Sequence, residues 1–140
     1  MSRVDFYILS EEGPDARLRY ACRLAERAVE QGCLVYLHGL DVQKLDDMLW
    51  TFNDRSFLPH EIYKGQPASH ERVKIMLGAE PGPASHRDLL INLMETLPAE
   101  LEPYARIAEI VDADPERKRT ARERYKQYRE RGCALESHNL

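Results

Sequence analysis

Apolar positions along this chain switch between two spacings, and the switches mark its elements. Residues 4–9 (VDFYIL) form a β-rich run that predicts a first strand. Glu11, Glu12, Gly13 and Pro14 make a turn, with Pro14 suited to a first helical position. Over 15–31 the apolar residues Leu18, Ala21, Cys22, Ala25, Ala28 and Val29 follow helical spacing, and Gly32 fits the stop. Residues 33–38 (CLVYLH) are almost continuously apolar, as a buried strand of a parallel sheet would be. Asp41 stands where it could cap a second helix carrying Val42, Leu45, Met48 and Leu49 on one face. Residues 53–72, with Pro59, Gly65 and Pro67, read as irregular. Strands are predicted at 73–77, 88–93 and 107–111, and Pro115 opens a last helix. The order β-α-β-α-loop-β-β-β-α predicts an α/β fold: an open, mostly parallel sheet with helices on both faces.

Length and composition narrow this reading. The 140 residues fit a single domain over 1–140, able to bury about two-thirds of its unfolded surface. Apolar residues make up 43 % and charged ones 31 %, ordinary for a globular protein. Three widely spaced cysteines (Cys22, Cys33, Cys133), with no C-x-x-C, indicate neither a disulfide framework nor a zinc site. Without a signal-peptide core or a long apolar run, the expectation is a cytoplasmic protein with no membrane span.

An α/β sheet invites a nucleotide, but the fingerprints are missing. The turn after the first strand carries Glu11 and Glu12 where a phosphate would need a glycine-rich loop. There is no P-loop and no nucleophile elbow. His86, Arg87, Asp88 and Leu89 imitate a kinase catalytic loop without its companions. The five histidines lack metal-ligand spacing, and His38, at a strand end, fits packing better than general-base chemistry. Asp46 and Asp47 are adjacent on a helix and so point about 100° apart, which fits a solvated face rather than a carboxylate pair. No catalytic residue, metal or cofactor is expected. The alternative reading is a small nucleotide-binding protein or enzyme using the carboxyl edge of the sheet.

Two features remain. Residues 116–131 hold eight Lys/Arg and three Glu, a local charge of +5, while the chain as a whole is −4 and the remainder therefore −9. Lys118, Arg122 and Tyr125 fall at i, i+4 and i+7 on one helix face, suited to a ligand with carboxylates and an apolar side chain. The acidic balance elsewhere, with Glu123 and Glu130 interspersed, argues against direct nucleic-acid binding. The second feature is Trp50, the only tryptophan, with Phe52 and Phe57 near it before Pro59. Aromatics at this spacing fit a core stripe or the anchors of a protein interface.

These residues resemble the chi subunit of the bacterial DNA polymerase III holoenzyme, an accessory protein of the clamp loader. The resemblance rests on residues 6–9 (FYIL); on Leu45, Asp46, Leu49 and Trp50 followed by 56–60 (SFLPH); on 87–93 (RDLLINL); and on 109–112 (EIVD) with 121–126 (ARERYK). It implies a Rossmann-like fold without a nucleotide site or catalytic activity, and two partners. Lys118, Arg122 and Tyr125 match positions that receive the acidic C-terminal tail of single-stranded DNA-binding protein, which ends in an apolar dipeptide with a free carboxylate. Trp50 and Phe57 match positions that face the psi subunit, a surface that a helicase-like repair protein shares. The chain departs from the family pattern in a shorter connection from Pro115 to Lys118 and at Asp114, which stands where an apolar residue is expected near the tail pocket. An acid there repels an acidic ligand unless it turns away or pairs with Arg117 or Arg119.

Overall fold

The computed structural model describes residues 2–53 and 57–140. Its elements are β1 (Arg3–Ile8), α1 (Pro14–Glu30), β2 (Val35–His38), α2 (Val42–Thr51), β3 (His60–Ile62), β4 (Ile75–Gly78), β5 (Leu89–Asn92), β6 (Arg106–Val111), α3 (Pro115–Glu130) and β7 (Ala134–Asn139). The strands form one open sheet in the order β3-β4-β2-β5-β6-β1-β7, and every pairing is parallel rather than most of them. Two strands escape the sequence pattern. β3 lies inside the stretch read as irregular, and β7 follows the last expected helix. Both are edge strands, where a backbone ladder forms with little help from buried side chains.

Alternation along the strands builds two cores. Val35, Leu37, Ile75, Leu77, Leu89, Ile91, Ala108 and Ile110 face α1 and α2, which contribute Leu18, Cys22, Ala25, Leu45 and Leu49. Burial pushes the Cys22 thiol up to about 12, so it stays protonated and acts as a small apolar residue. Val4, Phe6, Tyr36, Met76, Leu90, Ile107 and Val111 face the other way, under α3 and the segment holding Leu101 and Tyr104.

Helices α1 and α3 stop by the same device. The Gly32 N–H bonds the Val29 carbonyl and the Cys33 N–H bonds that of Ala28; Gly132 and Cys133 repeat this with Arg129 and Tyr128. Both glycines have positive φ, +88° and +83°, which an L side chain adopts only with strain. At α2, Asp41 occupies the cap position but makes no side-chain cap bond.

Two buried carboxylates set the position of α3. Glu109, mid-strand in β6 and fully buried, accepts from Tyr128 Oη (2.6 Å), Asn92 Nδ2 (2.7 Å) and Arg124 Nε (3.2 Å). Burial pushes its carboxyl above the ordinary value against the pull of Arg124, Tyr128 and Asn92. Asp112, at the end of the same strand, holds the starts of two helices. It accepts from the Gly13 N–H before α1 (2.9 Å), the Asp114 N–H before α3 (3.3 Å) and Arg117 Nε (2.8 Å). For Asp112, burial is outweighed by the Arg117 hydrogen bond, the Gly13 N–H, the Arg117 charge and the Asp114 N–H, which hold its carboxyl below the usual range.

Arg124→Met should cost about 3–5 kcal/mol in urea denaturation, because it strands a buried carboxylate, and adding Glu109→Gln should recover part of that loss. Asp112 behaves oppositely with pH from a group raised by burial. Its depressed value adds stability above the unfolded carboxylate pKa, about 3.9, and that stability is lost as pH falls through the folded value. Thermal melts between about pH 5 and 2 should therefore show a shallower acid decline for Asp112→Asn than for wild type. Some decline remains, because Asp5, where burial is outweighed by His138, Arg106 and Arg3, is also held low.

Candidate functional site

Lys118, Arg122 and Tyr125, placed on one helix face by their spacing, converge on a single groove of about 280 Å³. Its floor comes from Phe6 and Ile8 of β1 and Val111 of β6. Ala121 lets the helix approach this floor, and Ser137 and Asn139 of β7 form the opposite wall. The Tyr125 ring rests on Phe6 with centroids 5.4 Å apart and planes at 53°, so the aromatic wall is braced from below.

The cations of α3 divide into used and unused ones. Arg117 pairs with Asp112, Arg119 with Glu116, and Arg124 with Glu109. Lys118 and Arg122 have no carboxylate within ion-pairing distance among the described residues. The groove therefore offers two uncommitted positive groups, an apolar floor, a tyrosine wall and short polar side chains. That set suits an acidic chain ending in an apolar residue. Asp114 does not line it. Its carboxylate accepts the Arg117 N–H at 3.0 Å as the cap of α3, so the acid that departs from the family pattern is turned onto its own helix.

Trp50 and Phe57 come together at the β3 edge. Trp50, in the last turn of α2, is 47 % exposed, and Phe57, just before β3, is 76 % exposed. These values decide for a surface position over a core stripe. Their ring centroids lie 5.7 Å apart, and Trp50 also packs on His60 at 4.2 Å. The His60 ring is anchored through Nδ1 at the Leu58 carbonyl (2.6 Å), while its Nε2 lies 3.2 Å from the Asp46 carboxylate without hydrogen-bond geometry. Asp46 is thus half-buried beside the ring, while Asp47 is exposed and accepts from Gln43 Nε2 at 3.0 Å. Asp54, Arg55 and Ser56, the last being part of the block that carries the resemblance, lie outside the described residues.

Elsewhere the candidate chemistry is already committed. His38 is half-buried with Nε2 3.1 Å from the Ala79 carbonyl, and burial lowers its pKa, as packing requires. Asp5, Glu136 and His138 are the one group of potential metal ligands among the described residues, but Arg3 pairs with both carboxylates and Arg106 with Asp5. At the carboxyl edge, where this type of fold would hold a phosphate, Asp112 takes the first N–H of the α1 entry and Arg117 straps it there. A nucleotide phosphate would meet that carboxylate.

Sequence reasoning missed four residues that shape the site. Ser137 and Asn139 lie on the unexpected strand β7; the Gly-Cys pair at 132–133, matching the one at 32–33 that precedes β2, was the available signal. Glu109 and Arg124, which fix the helix from within, look like surface charges in any window of sequence.

Comparisons with known proteins bear on the chain as a whole. Residues 1–136 match the family model described as DNA polymerase III chi subunit, HolC. A DNA polymerase III subunit chi of Pseudomonas aeruginosa is 42 % identical over 143 residues, covering 100 % of this chain and 98 % of that protein. The proteins of the same name from Haemophilus influenzae and Escherichia coli are 30 % and 28 % identical, each covering 96 % of this chain. With the family model spanning nearly all of the sequence and a relative aligned from end to end, the chain belongs to the DNA polymerase III chi subunit family.

Proposed function

We propose that this chain is a non-catalytic accessory subunit in DNA replication that bridges two partners. The psi subunit of the clamp loader takes the Trp50 and Phe57 surface, which a helicase-like repair protein can share. The acidic C-terminal tail of single-stranded DNA-binding protein takes the groove of Lys118, Arg122 and Tyr125. The observation that carries this reading is the pair of unpaired cations beside a braced tyrosine over an apolar floor. The cations receive carboxylates, and Tyr125 with Phe6 and Ile8 receives an apolar tip. The exposed Trp50 and Phe57 pair supports the second docking surface, since clustered exposed aromatics are typical interface anchors.

The tail contact should be modest and salt-sensitive, because exposed charge pairs contribute roughly 0–1 kcal/mol each and are screened. Fluorescence anisotropy with a labelled acidic peptide ending in an apolar residue and a free carboxylate tests it. Arg122→Ala should weaken binding up to about fivefold and flatten its salt dependence, and Arg122→Glu should abolish it. Tyr125→Ala should weaken binding with the salt slope unchanged. Equal affinity of wild type and all three variants would refute the groove assignment.

Trp50→Ala and Phe57→Ala should leave peptide affinity intact while reducing co-purification with psi. Loss of both functions together, with a lowered Tm, would point to misfolding rather than to a separate psi surface.

A further inference from the structure

The groove is bordered on one side by a strand whose outer edge is open. β7 pairs with β1 alone, at the end of the sheet. The Ala134 N–H bonds the Ser2 carbonyl, and six residues later the Leu140 N–H bonds the Ile8 carbonyl. In a parallel ladder bonding residues alternate, so 134, 136, 138 and 140 face β1. Leu135, Ser137 and Asn139 then direct their N–H and C=O groups away from the sheet. The same residues turn their side chains to the α3 face, where Ser137 and Asn139 wall the groove.

This edge has few of the usual guards, since its one carboxylate, Glu136, is paired with Arg3 of β1. β7 is six residues long and contains neither proline nor lysine, whereas the opposite edge strand, β3, has three residues. Beside it, Lys126 and Arg129 extend the helix face of Lys118 and Arg122. From Lys118 to Arg129 the helix rises about 17 Å, and six strand residues span about 20 Å, so the cationic stripe and the open edge are of matching length.

Resting on the groove reading above, we infer that the acidic tail does not dock by its tip alone: its upstream residues add to the sheet as an eighth strand along β7. Main-chain bonds to Leu135, Ser137 and Asn139 hold an extended backbone, and the stripe of α3 supplies the complementary charge. Only an extended, acidic segment satisfies both.

Backbone N-methylation tests this on the full chain. The labelled peptide is N-methylated one position at a time upstream of its tip, and affinity is read by anisotropy. Every second position should weaken binding about threefold to tenfold, with the positions between near neutral, since one net hydrogen bond contributes about 0.5–1.5 kcal/mol. Ser137→Pro removes an outward N–H that the β1 ladder does not use; it should keep Tm while weakening the unmethylated peptide to a similar degree. A flat methylation profile, with binding still abolished by Arg122→Glu, would overturn the added strand and leave the groove reading standing. No binding of the unmethylated peptide would overturn both. A dimer in light scattering that Ser137→Pro dissociates, together with a flat profile, would assign the edge to a second copy and likewise overturn the inference.

Discussion

A carboxylate buried under a helix is the constraint on which the rest of this structure depends. Glu109 is fully enclosed between β6 and α3, and isolated burial of a charge there would be prohibitive. It is tolerated because α3 brings Arg124 and Tyr128 and β5 brings Asn92, so both oxygens are bonded. Such a cluster contributes little net stability compared with an apolar equivalent, but it does not tolerate displacement. A helix held only by Ala121 and tyrosine rings could slide along the sheet. One whose arginine must meet a particular carboxylate has a fixed register, and Tyr125, adjacent to Arg124, is fixed with it. The groove is shaped by a residue that does not line it.

The sheet order separates the two candidate surfaces as far as this fold allows. Trp50, Phe57 and His60 gather at β3, and the groove opens beside β7; with six inter-strand steps between them, these edges lie about 29 Å apart. One partner at each edge could be held without contact between them, which the proposed bridging role requires. The surfaces also differ in kind. One is an exposed aromatic cluster, whose contacts salt does not screen, and the other is cationic, where salt screens every charge.

What the sequence made legible follows from where side chains, rather than backbone, determine structure. The central strands announce themselves because β4 and β5 are buried on both faces and β2 nearly so, and must be continuously apolar. Helix α1 is readable from its apolar stripe and Gly32. The three groove residues on α3 are readable as well, because helical spacing alone puts Lys118, Arg122 and Tyr125 on one face. β7 is different: Glu136, Ser137, His138 and Asn139 carry no strand signature, and their conformation comes from a ladder to β1 that is more than a hundred residues distant in sequence. The far wall of the groove was therefore illegible for the same reason that β7 was. Glu109 and Arg124 were hidden by a related effect, since a charge pair 15 residues apart becomes visible only when strand and helix are stacked.

Asp112 and Asp114 show how position, not charge, decides what an acid does near a cationic groove. Both lie at the β6–α3 junction, and either could repel an acidic ligand. Asp112 is fully buried, bound by Arg117 and by two backbone N–H groups at the starts of α1 and α3. In the same stroke it fills the helix N-terminus that a nucleotide-binding relative of this fold would give to phosphate. Asp114 spends its carboxylate on the first turn of α3, where the helix dipole favours a negative group. With both acids satisfied internally and Arg117 consumed by the first, the cations left facing the groove are Lys118 and Arg122. Pro115 to Lys118, expected from the sequence to be a short connection, is instead the first turn of α3, because Asp114 caps the helix immediately before Pro115.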